Sequence, residues 1–171
     1  MTLVTTPTAL ACPYGVRLVA VQSAREMRDA VATACRDADA LIMAAAVADF
    51  QPTEAADHKI KKAGKPGLTL DLVPTPDILS EVRGGFVRVG FKAESRDVVE
   101  SAREMLRRKR LDLVVANDVT DPHSGFGVDT NQVTLIDASG AAEALPLLPK
   151  YDVAQRVLDR AVALLGERRQ A

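Results

Sequence analysis

Short apolar runs alternate along this chain with longer stretches of helical spacing. The runs are Leu3–Thr5, Val16–Val21, Ala40–Ala46, Phe86–Phe91 and Leu111–Ala116. Alternation of this kind predicts an α/β fold with a largely parallel sheet and flanking helices. ALIMAAA and LDLVVA are apolar at nearly every position, as strands covered on both faces must be. The first helix is predicted at SARE, where Ser23 and Glu26 have capping-box spacing. Met27, Val31 and Ala34 then form its apolar stripe. Thr75 as N-cap and Pro76 at the first helical position predict a second helix at TPDIL. In DVVESAREMLRRKR, Val98, Ala102, Met105 and Leu106 share one face, while Glu104 and Arg108 can pair across a turn on the other. After Ala116 a polar loop with Pro122, Gly125 and Gly127 leads into QVTLID and EALPLL, joined through Ser-Gly, which predicts a C-terminal β-hairpin. A last helix is expected from about Asp152 to Leu165, with a frayed GERRQA tail.

Composition narrows the class. With 171 residues and no repeat or linker, the chain reads as a single domain with one core. A net charge of −1 gives no general attraction to nucleic acid or to an anionic membrane, so any phosphate must be held by a local cluster. Aromatic residues make up 4% and Trp is absent, which argues against a surface for stacking bases. Cys12 and Cys35 are far apart and form no CxxC pair, so neither a disulfide framework nor a zinc site is suggested. No apolar stretch is long enough to span a membrane and no signal pattern opens the chain. These features fit a cytoplasmic domain.

Candidate chemistry collects where an open α/β sheet binds ligands, beyond the carboxyl ends of its strands. VADF, TPDIL, GFKAE and ANDV all fall there. Asp49 could accept hydrogen bonds from a sugar hydroxyl or simply cap a turn. Lys59, Lys61 and Lys62, three lysines within four positions, could neutralise phosphates or form a solvated charge run. The TPDIL helix start offers N–H groups to an anion or a base edge. Phe91 could pack a flat ring or belong to the core, and Asn117 and Asp118 could orient a ligand or form an Asx turn. His58 and His123 have no partner pattern. GxGxxG and GxxxxGK[ST] are both missing, as are nucleophile-elbow and H-E-x-x-H motifs. These residues reach an α/β domain binding a phosphorylated small molecule, and no further.

The ordered set AAAVADF, KIKK, PDIL, GFKAE and LDLVVAND, continued by FGVDTNQVTLID and LPLLPKYDVAQRVLD, resembles phosphopantothenate–cysteine ligase (phosphopantothenoylcysteine synthetase). That ligase is the second activity of the bacterial bifunctional coenzyme A biosynthesis flavoprotein. The resemblance covers nearly the whole chain and implies a Rossmann-like fold, a homodimer, and CTP and Mg²⁺ as co-substrate and metal. In the bacterial type, CTP activates the carboxylate of 4′-phosphopantothenate as an acyl-cytidylate with release of pyrophosphate. The amine of cysteine then displaces CMP. By the same resemblance, Asp49 contacts the nucleotide and Lys59 is the catalytic lysine handling the acyl-cytidylate. Pro76, Asp77, Ile78 and Leu79 line the cytosine pocket, Phe91 lies beside the nucleotide, and Lys109 points at it. Asn117 is a possible substrate-site residue, and no protein metal ligand is implied.

Two departures stand out. Met105 occupies the position of a second helix lysine, leaving that contact missing or supplied by Arg108. The family's opening strand, glycine-rich turn and substrate-binding asparagine have no counterpart in these 171 residues, which also lack the flavin-dependent decarboxylase domain. The expectation is a ligase-like domain truncated at its N-terminus, with an exposed sheet edge and poor ligation on its own. LTLDLVP, with alternating Leu68, Leu70 and Leu72, reads as a strand offered for dimer pairing or as an internal strand. The alternative function is a non-catalytic nucleotide-binding or dimerisation module; an oxidoreductase is disfavoured by the missing GxGxxG.

Overall fold

The computed structural model describes residues 1–62, 64, 67–121, 123–125 and 127–170. Pro122 of the polar loop and Phe126 of FGVDTNQ lie outside the described residues. In chain order the strands are β1 (Thr2–Thr5), β2 (Arg17–Ala20), β3 (Ala40–Met43), β4 (Phe50–Pro52), β5 (Leu72–Pro74), β6 (Val87–Glu94), β7 (Leu113–Asp118), β8 (Thr130–Asn131), β9 (Val133–Asp137), β10 (Ala142–Ala144) and β11 (Leu148–Pro149). The helices are α1 (Ala24–Ala34), α2 (Ile78–Glu81), α3 (Val98–Lys109) and α4 (Lys150–Gln170).

The central sheet has five strands in the order β10-β9-β7-β6-β3. β6 runs parallel to β3 and β7, whereas β9 is antiparallel to both β7 and β10. The sheet is therefore mixed, a correction to the mostly parallel expectation. A loop rather than a crossover helix joins β7 to β9, which permits antiparallel pairing. The expected hairpin is β9–β10. Its turn is held by the Asp137 carboxylate, which accepts from the Ser139 backbone N–H and hydroxyl, with Gly140 at φ 86°.

Alternation along the strands sorts the core into two layers. Val87, Val89, Leu113 and Val115 face α4 through Val153, Val157 and Ala161. On the opposite face, Val114, Ala116 and Ile136 meet Ala102, Met105 and Leu106 of α3 and Leu79 of α2. α1 packs Met27 and Val31 into a third cluster with Ile78, Val4, Val19, Leu41 and Met43. β1 and β2 form a separate parallel pair that shares this cluster without hydrogen-bonding to β3. Among the described residues β3 is an outer strand of the five-stranded sheet. Leu3, Leu18 and Ile42, which alternate with the inward residues, are exposed.

Local departures have physical causes. α1 begins as expected, with the Glu26 N–H donating to Ser23 Oγ, while Glu26 reaches back to the Gln22 N–H. The second helix begins two residues later than predicted. Its N-cap is Asp77, because the Thr75 hydroxyl donates to the Ala48 carbonyl and the Thr75 N–H to the Asp49 carbonyl. The apolar run ALIMAAA leaves the sheet after Met43 instead of Ala46. Only Leu72 of the three alternating leucines lies in a strand, because β5 pairs with β4 over Leu72–Pro74 alone. The last helix starts at Lys150 and continues through the tail expected to fray. There Arg168 donates to Asp112 and to the Gly85 carbonyl, and Arg169 pairs with Asp39.

Candidate functional site

A cleft of about 490 Å³ opens at the carboxyl ends of β3 and β6. One wall is the chain leaving β3, with Asp49 and Phe50; another is the Pro74–Leu79 segment entering α2; Met105, Arg108 and Lys109 of α3 supply the third. Phe91 of β6 also lines it. The β4–β5 ladder closes one end, because Thr75 bonds back to Ala48 and Asp49. Gly90 lets the layers beneath the cleft approach closely. A Cβ there would lie 2.9 Å from both Leu111 Cδ1 and Met105 Cε, and 3.0 Å from Leu79 Cδ1.

Charge in the cleft is paired. Lys109 Nζ donates to Asp77 Oδ1 at 2.7 Å. Asp77 also caps α2, accepting from the Ser80 N–H at 3.2 Å and from Ser80 Oγ at 2.8 Å. Burial acts to raise the Asp77 carboxyl, but the Lys109 and Ser80 hydrogen bonds overcome it and hold the group below the usual aspartate range. An anion entering the cleft must therefore share Lys109 with Asp77, which makes the lysine a preplaced cation. On α3, the Arg108 side chain is 63% exposed and reaches Glu104 at 4.0 Å. It lines the cleft beside Met105, where the resemblance leaves a cationic contact to be supplied.

The structure thus brings Asp49, Pro76, Asp77, Ile78, Leu79, Phe91 and Lys109 to one cleft. Lys59 does not line it. With Lys61 and Lys62 it is exposed in the irregular segment between β4 and β5. Asn117 is also elsewhere: it lies buried in β7, paired with Ala93 and Val133, and Gly125 approaches its Nδ2. The Asx turn belongs to Asp118, whose carboxylate accepts from the Thr120 N–H and hydroxyl. A second cavity of about 300 Å³ is lined by Asp118, Ser124 and Gln132 among others, and holds none of the residues that the resemblance assigns to the site. Sequence reasoning missed Arg88, a buried guanidinium beneath the cleft. Its signal was a lone charge inside the apolar run FVRVGF.

The sequence profile of the family described as DNA/pantothenate metabolism flavoprotein C-terminal domain matches residues 1–165. The chain belongs to this family. Among its relatives, the coenzyme A biosynthesis bifunctional protein CoaBC of Bacillus subtilis (strain 168) is 43% identical over 97% of this chain and 42% of its own length. The Escherichia coli (strain K12) protein of the same name is 39% identical over 98% of this chain and 43% of its own length. The chain therefore spans less than half of the curated relatives it matches. A crystal structure of the C-terminal domain of a CoaBC protein superposes with a TM-score of 0.79 at 33% identity, covering 97% of this chain and 74% of that one. A Cab2 mutant in complex with phosphopantothenate-cysteine shares the fold, with a TM-score of 0.69 at 18% identity over 90% of this chain and 54% of that one.

Proposed function

We propose that this chain carries the nucleotide site of a phosphopantothenate–cysteine ligase, in which CTP activates 4′-phosphopantothenate as an acyl-cytidylate before cysteine displaces CMP. The supporting observation is the cleft itself. Asp49, Pro76–Leu79, Phe91 and Lys109 come from four separate segments and line one space, as the resemblance requires of a Rossmann-like nucleotide site. α2 and the strand ends supply backbone groups for a base edge, and Lys109 with Arg108 supplies positive charge for phosphates that become more charged as pyrophosphate leaves. Magnesium would be held largely by the triphosphate. Lys59 is assigned to the acyl-cytidylate, which it would meet from its exposed segment. Asn117 is assigned no contact with the nucleotide.

We also propose a homodimer, supported by exposed Phe50, Leu68, Leu70 and Leu72 around the β4–β5 arm. Isothermal titration with CTP, ATP and a nicotinamide dinucleotide tests the reading. CTP is expected to bind most tightly, with Asp49→Ala weakening it about tenfold, as loss of one ligand hydrogen bond would. Lys59→Gln should weaken it less, because Lys59 does not line the cleft. Tight dinucleotide binding, or equal affinity for all three ligands, would overturn the proposal.

A further inference from the structure

Arg88 sits in β6 between Val87 and Val89, which are fully buried against the α4 layer. Alternation turns its side chain to the other face, toward α2 and the end of α3. The residue is 4% exposed. Its Nη1 donates to the Lys109 carbonyl at 2.8 Å and the Arg110 carbonyl at 3.1 Å, and its Nη2 donates to the Leu79 carbonyl. Nε has no partner, and among the described residues no carboxylate lies within ion-pair distance of the guanidinium. Its main chain is held by Asp112, which accepts from the Arg88 N–H at 2.7 Å and returns its own N–H to the Arg88 carbonyl.

This is a costly way to fill a core position. A desolvated cation with no carboxylate in direct contact, favoured only through space by Asp112 and Asp77, is unfavourable unless its hydrogen bonds are good. Burial, and then the neighbouring charge of Arg83, push the group down from the ordinary arginine range. What compensates is the set of acceptors. The Lys109 and Arg110 carbonyls are orphans at the end of α3, where Arg110 has left the helix at φ 53°. They sit at the negative end of the helix dipole, which favours a cation. The third acceptor belongs to α2, a different wall of the cleft.

We propose that Arg88 is a positioning residue of the nucleotide cleft: its guanidinium ties α2 at Leu79 to the end of α3 at Lys109, and so fixes the geometry in which Asp77 and Lys109 meet. The carbonyls it holds belong to two cleft-lining residues, Leu79 and Lys109. Asp77 and Lys109, which bond at 2.7 Å, are respectively two residues before one anchor and the same residue as the other. Arg88 itself does not line the cleft. A planar fork can bridge three carbonyls, whereas a lysine ammonium at the same position is a point charge on a flexible stem. The ligand consequence rests on the nucleotide reading above; the coupling of the two walls does not.

The test compares the unaltered chain with Arg88→Met, Arg88→Lys and Val157→Ala, the last a core truncation in α4 chosen as a stability control. Carboxyl-carbon NMR follows the titration of Asp77, calorimetry follows CTP, and thermal melts follow the fold. Arg88→Lys, which keeps the positive charge, should still move the Asp77 midpoint up toward free aspartate and weaken CTP about tenfold, the scale of effect expected when a site is held slightly out of place. Arg88→Met should move the midpoint further, because the charge that favours ionised Asp77 is also lost. Val157→Ala should lower Tm and move neither. Arg88→Lys keeps the test open should Arg88→Met fail to fold. An Asp77 midpoint unchanged in the Arg88 variants, or moved equally by Val157→Ala, overturns the proposal. If the unaltered chain takes no CTP, the nucleotide reading fails while the Asp77 titration still decides the coupling.

Discussion

Asp77 carries more of the site than any other single side chain. It caps α2 through Ser80 and pairs with Lys109. Its carboxyl is held below the ordinary aspartate range. The native state therefore favours the charged form, and the linked stability is present above an unfolded value of about 3.9. It is lost as pH falls through the lower folded value. Asp77→Asn should remove this part of the acid dependence, seen as a flatter plot of Tm against pH below about 4. Gly90 makes a second test. Alanine there must displace the ends of Leu111, Met105 and Leu79, which are flexible, so the expected cost is about 1 kcal/mol, at the low end for overpacking. Urea denaturation checks it, and an unchanged midpoint would show that the layers have slack. Sequence could place Asp77 and Phe91 near a ligand, because they fall after apolar runs in family-like order. It could not find Arg88, since the acceptors of that guanidinium come from two helices distant in the chain.

At the scale of elements, Asp137 links the β9–β10 turn to α4. Its carboxylate accepts from Ser139, and from Arg160 Nη2 at 2.8 Å. The Ser139 hydrogen bond first, then Arg160 against a burial penalty, keeps the group below its usual range. Asp137→Asn should therefore destabilise the fold by about 1–2 kcal/mol near neutral pH, as expected for charge-assisted bonds in a partly buried site. The difference from the unaltered chain should shrink as pH falls through the folded value, which chemical denaturation across that range would show. The elements themselves were largely legible. Strands β3, β6 and β7 coincide with apolar runs, and α1 and α3 with their stripes. The misplacements share a cause, which is that side chains found tertiary partners the local pattern does not contain. Thr75 bonds to Ala48 and so yields the capping role to Asp77. Arg168 reaches Asp112 and holds a tail that would otherwise fray. The change of direction at β9 depends on the connection, and hydrophobic spacing alone does not encode it.

For the whole molecule, the exposed apolar arm asks for a covering surface. The arm is assigned to a second copy of the chain. Sedimentation velocity at micromolar concentration should show a dimer, and Leu70→Glu, at a position 60% exposed, should shift it toward monomer. A monomeric unaltered chain would contradict the assignment. The proposed nucleotide site is the cleft, where chain segments far apart in sequence meet. Its most direct test is an amide chemical-shift map recorded during a titration with CTP and Mg²⁺. Shifts are expected to concentrate at Asp49, Asp77–Leu79, Phe91 and Lys109, with the second cavity near Ser124 and Gln132 unaffected. Shifts confined to that second cavity, or none at saturating CTP, would contradict it.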